Sequence, residues 1–181
     1  MLRNSSTHYG VLVRLLHWAM AALVIALLVA VEIHDWFPKG SDLRNGLMSV
    51  HFQFGLLVFL LMWPRLAAVL SDRAPPIRPA SPSWQDMAAK LVHLALYGGM
   101  LSLPVLGVLM LQAGDRSVSL LGLQLPTFVG VDKAFSKSLR EVHETIGNVV
   151  IGLAVVHIAA AYWHHFRQHD NTLLRMLPPG R

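Results

Sequence analysis

Apolar residues dominate four long stretches of this chain, about Val11–Ile33, Leu47–Leu70, Lys90–Gln112 and Val142–Trp163, and polar residues gather between them. Each stretch reaches the roughly 20 residues that a helix needs to cross a hydrocarbon core of about 30 Å. The pattern predicts an all-α fold: an integral membrane four-helix bundle forming one domain over residues 1–181. The first stretch sits where a secretory signal would, but its apolar run is too long and three further spans follow. From Val131 to Glu144, apolar residues fall at Val131, Phe135, Leu139 and Val142. That spacing predicts an amphipathic helix that lies on the outer surface and runs directly into span four. The Pro-rich loop from Ala74 to Ser83 reads as extended and polar, and Pro104, after Gly98-Gly99, should kink span three.

Composition narrows the class. Hydrophobic residues make up 54% of the chain and charged ones 14%, as suits a protein solvated largely by lipid. With no cysteine, disulfides, thiolate metal sites, iron–sulfur clusters and covalent haem attachment are all excluded. The formal charge of +5 is unevenly spread: nine Lys and Arg fall on the side of the two termini and the 2–3 loop, against six on the other. Lys and Arg favour the cytoplasmic side, so both termini are expected there. Basic residues dispersed around spans make nucleic acid an unsuitable partner. All five tryptophans lie near span ends, as an interfacial belt requires.

The polar residues inside the spans carry the chemistry. His143 and His157 are fourteen residues apart on span four. Fourteen steps of about 100° end about 40° short of four full turns, so both rings leave from nearly one face. Along the axis they sit roughly 21 Å apart, one near each edge of the bilayer core. His51 on span two matches the outer level of His143, and His17 on span one matches the inner level of His157. A lone buried histidine is usually a satisfied polar group. Two level-matched pairs from three helices are instead what bis-imidazole ligation of two haem irons requires.

His93 on span three competes at the inner level. A porphyrin lying edge-on to a helix needs a small residue one turn on from its ligand. At i+4, His51 has Gly55, His143 has Gly147, His17 has Ala21 and His157 has Ala161, whereas His93 has Tyr97. His93 is therefore assigned hydrogen bonding to a haem propionate or a quinone. Arg14 and Arg140 each precede a candidate ligand by three residues and are candidates to pair with propionates; Arg65 is another. No Asp or Glu lies deep in a span, which favours electron movement over proton pumping.

These residues bring a family into view. The chain resembles the bacterial cytochrome b561 family, small four-helix di-haem proteins related to the cytochrome b subunits of nickel–iron hydrogenases and formate dehydrogenases. The matching stretches are Leu15-Leu16-His17-Trp18, Val50-His51-Phe52-Gln53-Phe54-Gly55, Val92-His93-Leu94-Ala95-Leu96-Tyr97, Leu103-Pro104-Val105-Leu106-Gly107, Val142-His143-Glu144-Thr145 and Asp170-Asn171-Thr172-Leu173-Leu174-Arg175-Met176. The resemblance implies two b-type haems stacked across the bacterial inner membrane, exchanging electrons with the ubiquinone pool. In free-standing members of this look it implies a superoxide:ubiquinone oxidoreductase, with superoxide oxidised at the periplasmic face. Lys133, Lys137 and Arg140 are candidates to steer that anion. Two other functions remain open from the residues: a membrane anchor for a partner dehydrogenase, and a metal-ion transporter or sensor. The second expects histidines and carboxylates clustered around one ion, whereas the histidines here divide between two depths.

Overall fold

The computed structural model describes residues 3–178. It contains α1 (Val11–Ile33), α2 (Asp42–Leu70), α3 (Ser83–Ala113) and α4 (Lys133–Phe166), with a small hairpin, β1 (Ser119–Leu120) and β2 (Leu123–Gln124), between the last two helices. All four helices are long and apolar enough to cross a membrane. The expected helical membrane fold is the one observed.

Three helices begin well before the apolar stretches that signal them. For α2 and α4 the reason is a side-chain cap. Ser41 accepts the Arg44 N–H at 3.4 Å to start α2, and Asp132 accepts the Phe135 N–H at 2.9 Å to start α4. Hydropathy marks the lipid-facing part of a helix; the polar first turns continue into the interfacial layer. At 34 residues, α4 spans about 51 Å, well beyond the bilayer core. Its first turns are not a separate surface helix. They rise as part of the same rod, with Leu139 buried and the Ser136 hydroxyl donating to the Met110 carbonyl at 2.8 Å. Pro64 and Pro104 both sit inside helices that continue through them.

α1 lies along α2 and α3 along α4, with a less extensive contact between α2 and α3. Met20, Val58 and Met62 form the buried core, and Leu23, Val24, Leu27, Leu61, Tyr97, Met100 and Leu101 pack against it. All of these belong to α1, α2 and α3. α4 is held by α3 instead, closest where Gly99 faces Val150: a Cβ on Gly99 would collide with the Val150 side chain. Much apolar surface stays exposed, including Leu94 at 69% and Val155 at 61%. Against water such surface would be a liability; in lipid it is the solvated side.

Each end of the bundle is closed differently. At the end holding both termini, the C-terminal segment is tied down by polar contacts. The Asn171 side chain accepts the Arg78 N–H at 2.7 Å while its own N–H donates to the Arg78 carbonyl at 3.1 Å. Arg175, 8% exposed, donates to the Pro75 carbonyl and lies over the Tyr9 ring. His164 Nδ1 donates to buried Asp170 at 2.5 Å. At the other end, Gln53 and Gln112 clasp the 3–4 loop through backbone groups at Ser119, Leu121, Pro126 and Phe128.

Candidate functional site

The helical period of α4 puts His143 and His157 on one side of a single rod, and the bundle brings each to a partner. The ring centroids of His51 and His143 are 6.2 Å apart, with planes at 70°. Those of His17 and His157 are 6.1 Å apart, with planes at 78°. Two imidazoles binding one metal from opposite sides, each through a bond of about 2 Å, hold their centroids about 6 Å apart. Both pairs have that separation. Both also bridge seams, α2 to α4 and α1 to α4, where the helix backbones do not lie in extended close contact. The histidines are what meet across those seams.

One tautomer is set by a neighbour. His51 Nδ1 lies 3.2 Å from the Leu27 carbonyl. A carbonyl only accepts, so Nδ1 carries the proton and Nε2 presents its lone pair. His143 Nδ1 is buried without a hydrogen-bond partner. Gly107 of α3 faces that ring: a Cβ built there would lie 3.5 Å from His143 Cε1.

The glycines one turn on from the outer histidines border open space. A Cβ on Gly55 or on Gly147 would meet no protein atom within 4 Å. Glycine at these two positions is not required by helix contact, as it is at Gly99. The residues therefore fit a flat macrocycle lying against α2 and α4, with imidazoles above and below it.

The inner level is more crowded. His93 lies beside His157 at 5.2 Å between centroids, with planes at 67°. That is closer than two rings sharing one metal from opposite sides, and reads as edge contact. Tyr97, one turn on, packs against the Met20–Met62 core. Arg65 joins the same group. It lies fourteen residues beyond His51, the spacing that separates the two α4 histidines. Its guanidinium donates to the Val13 carbonyl at 3.3 Å, one turn before His17.

Arg14 donates to the Leu177 carbonyl at 2.6 Å, and its Nε is buried without a partner. Arg140 is exposed, near enough for its charge to reach His143. The transporter or sensor reading needs a cluster of His and carboxylates around one ion, and among the described residues no group of three or more His, Cys, Asp or Glu is so arranged.

The sequence compares closely with known membrane cytochromes. The family model described as prokaryotic cytochrome b561 matches residues 8–179. The chain belongs to this family. It is 37% identical over 163 residues to cytochrome b561 homolog 1 of Escherichia coli K12, covering 90% of this chain and 93% of that one. It is 28% identical over 166 residues to a Yersinia pestis protein named probable superoxide oxidase CybB, covering 92% and 93%. A second Escherichia coli K12 protein, cytochrome b561 homolog 2, is 28% identical over 182 residues. This cytochrome is thus a multi-pass protein of the bacterial inner membrane that binds b-type haem and takes part in electron transport.

From sequence alone, Arg65 is a candidate propionate partner. Its fourteen-residue offset from His51 was the available signal for its place among the inner histidines. Gln53 offered no such signal, because its partners are backbone atoms of a distant loop.

Proposed function

We propose that this cytochrome holds two b-type haems and passes electrons from superoxide to ubiquinone. The observation that carries the reading is the pair of ring separations, 6.2 and 6.1 Å, repeated at two depths along one face of α4. His51 with His143, and His17 with His157, would hold the two haem irons. Gly55 and Gly147 make room for the outer macrocycle. Arg14 and Arg140 are the propionate partners nearest the two edges. His93 serves as a hydrogen-bonding group for a propionate or for quinone.

Bound haem supplies one-electron carriers that the side chains themselves lack. The protein's part is to orient them, to keep water from the interior and to fix both imidazoles of each pair. A haem iron held by both imidazoles of a pair would offer substrates no open site, so transfer would be outer-sphere. Superoxide gives up one electron and leaves as dioxygen; two such electrons and two protons convert ubiquinone to ubiquinol. Lys133, Lys137 and Arg140 lie on the exposed first turns of α4 and would draw the anion toward that end. The Lys and Arg distribution supports both termini in the cytoplasm and this end in the periplasm. The whole of residues 1–181 acts as one domain.

The test is an optical redox titration of the purified protein with haem quantification, followed by superoxide-driven ubiquinone reduction. Two low-spin b-type haems per chain and quinol formation are expected. One haem per chain, or none, refutes the two-pair assignment. Two haems without superoxide-driven reduction refute the substrate and point to a partner dehydrogenase as donor.

A further inference from the structure

The hairpin between α3 and α4 turns through Leu121 and Gly122, which have φ of 49° and 86°. Two successive left-handed residues define the type I′ hairpin turn, where Asn, Asp and Gly dominate. Leucine there carries a steric cost that asparagine or glycine would largely avoid. No contact inside the chain explains the choice, since Leu121 is 75% exposed and Leu123 is 77% exposed.

The depth of the hairpin supplies an explanation. Gln53 Nε2 donates to the Ser119 carbonyl at 2.8 Å, and the Leu121 N–H donates to Gln53 Oε1 at 2.9 Å. Gln53 lies six residues past Leu47, where the apolar stretch of α2 begins, or about 9 Å along the axis. Helical side chains lean toward the N-terminus, which lifts the amide back to the boundary of that stretch. The Leu125 N–H also donates within the loop, to the Val118 carbonyl at 2.9 Å. Side-chain and backbone partners thus replace water along the strand facing α2, as a low-dielectric layer demands. Exposed Trp36 stands at the same end of the bundle, as a residue of the headgroup layer would.

We propose that Leu121 and Leu123 insert among phospholipid acyl chains just below the headgroups, making the hairpin a membrane anchor continuous with the lipid-facing surface of the helices. The lipid takes up the apolar tip, and Gln53 takes up the polar backbone behind it. The anchor would fix the 3–4 loop, and with it the start of α4, against the bilayer plane. None of this depends on the haem or substrate assignments above.

The chain has no cysteine, so single cysteines can be placed cleanly. L121C and L123C, labelled with an environment-sensitive nitrobenzoxadiazole and reconstituted in phosphatidylethanolamine–phosphatidylglycerol vesicles, are compared with K39C at the same end. Blue-shifted emission, quenched several-fold more by 5-doxyl lipid than K39C and spared by aqueous iodide, is expected. Emission matching K39C and quenched by iodide overturns the proposal; it would leave the tip in water, free for a protein partner. L121N guards against a labelled variant that does not fold. Asparagine suits the turn, so a hairpin in water gains thermal stability from it. An anchored one loses stability in vesicles, and a gain there would also overturn the proposal.

Discussion

The outer and inner histidine pairs share one ring separation and little else. At the outer level His51 and His143 are flanked by Gly55 and Gly147, and Gly107 faces the second ring. At the inner level alanine replaces glycine one turn on, His93 lies against His157, and Arg65 donates to the Val13 carbonyl one turn before His17. The helical period accounts for the repeated spacing, because α4 serves both levels from one face. It does not account for the surroundings, which come from three other helices. The ring separation is therefore duplicated, while the additional polar neighbours are concentrated at one end.

The largest expected effect separates the pairs outright. His51→Ala and His143→Ala should each remove the same haem, halving haem per chain. His17→Ala and His157→Ala should remove the other, distinguishable by its redox midpoint. His93→Ala should retain both haems and lower kcat/KM for quinone about tenfold, equivalent to about 1.4 kcal/mol of transition-state stabilisation. Loss of a haem in His93→Ala but not in His17→Ala would reassign the inner pair.

The glycines sharpen the same contrast. Leucine at Gly55 or Gly147 meets no protein atom at its Cβ and improves helix propensity by up to about 1 kcal/mol. Each variant should fold well yet load less of the outer haem, read as the haem-to-protein absorbance ratio. Leucine at Gly99 should do the reverse. Its overlap with Val150 costs about 1–3 kcal/mol and should lower the thermal midpoint whether or not haem is present.

A smaller effect belongs to the closed end near the termini. Burial tends to raise the pKa of Asp170, but hydrogen bonds from His164 and Thr172 outweigh it and hold the carboxyl below its ordinary value of 3.8. A folded-state pKa below the unfolded one stabilises the protein fully above that ordinary value. The contribution is lost as pH falls through the folded value. Thermal unfolding of Asp170→Asn should show a lower midpoint than the native protein at pH 6, with the difference shrinking on acidification below pH 4. A difference that persists unchanged into acid would mean that the carboxylate charge is not what Asp170 contributes there.

Much of this organisation was legible in the chain. The apolar run of α1 and its helix coincide, so hydropathy alone marks both ends. The apolar stretches of α2, α3 and α4 fall short of their helices, because polar first turns carry no hydropathy signal. The level-matching of His17 with His157 and of His51 with His143 followed from spacing and direction of entry, and these rings meet in the fold. The expected surface helix before span four merged into one rod, since nothing between Glu141 and Thr145 breaks it. The clasp of Gln53 on the hairpin and the binding of the last segment to Arg78 and Pro75 were not legible. Both depend on backbone carbonyls and N–H groups, which every residue has and which no sequence pattern marks.

By itself, the sequence determined four membrane-crossing helices and the heights of their histidines. Hydropathy and the rise of about 1.5 Å per residue are properties of each segment alone. Only the tertiary structure decided which rings face each other, that α4 leans on α3 rather than on the methionine core, and that Arg65 joins the inner group. Those outcomes depend on how whole helices rotate and pair, and that is settled by contacts between segments far apart in the chain.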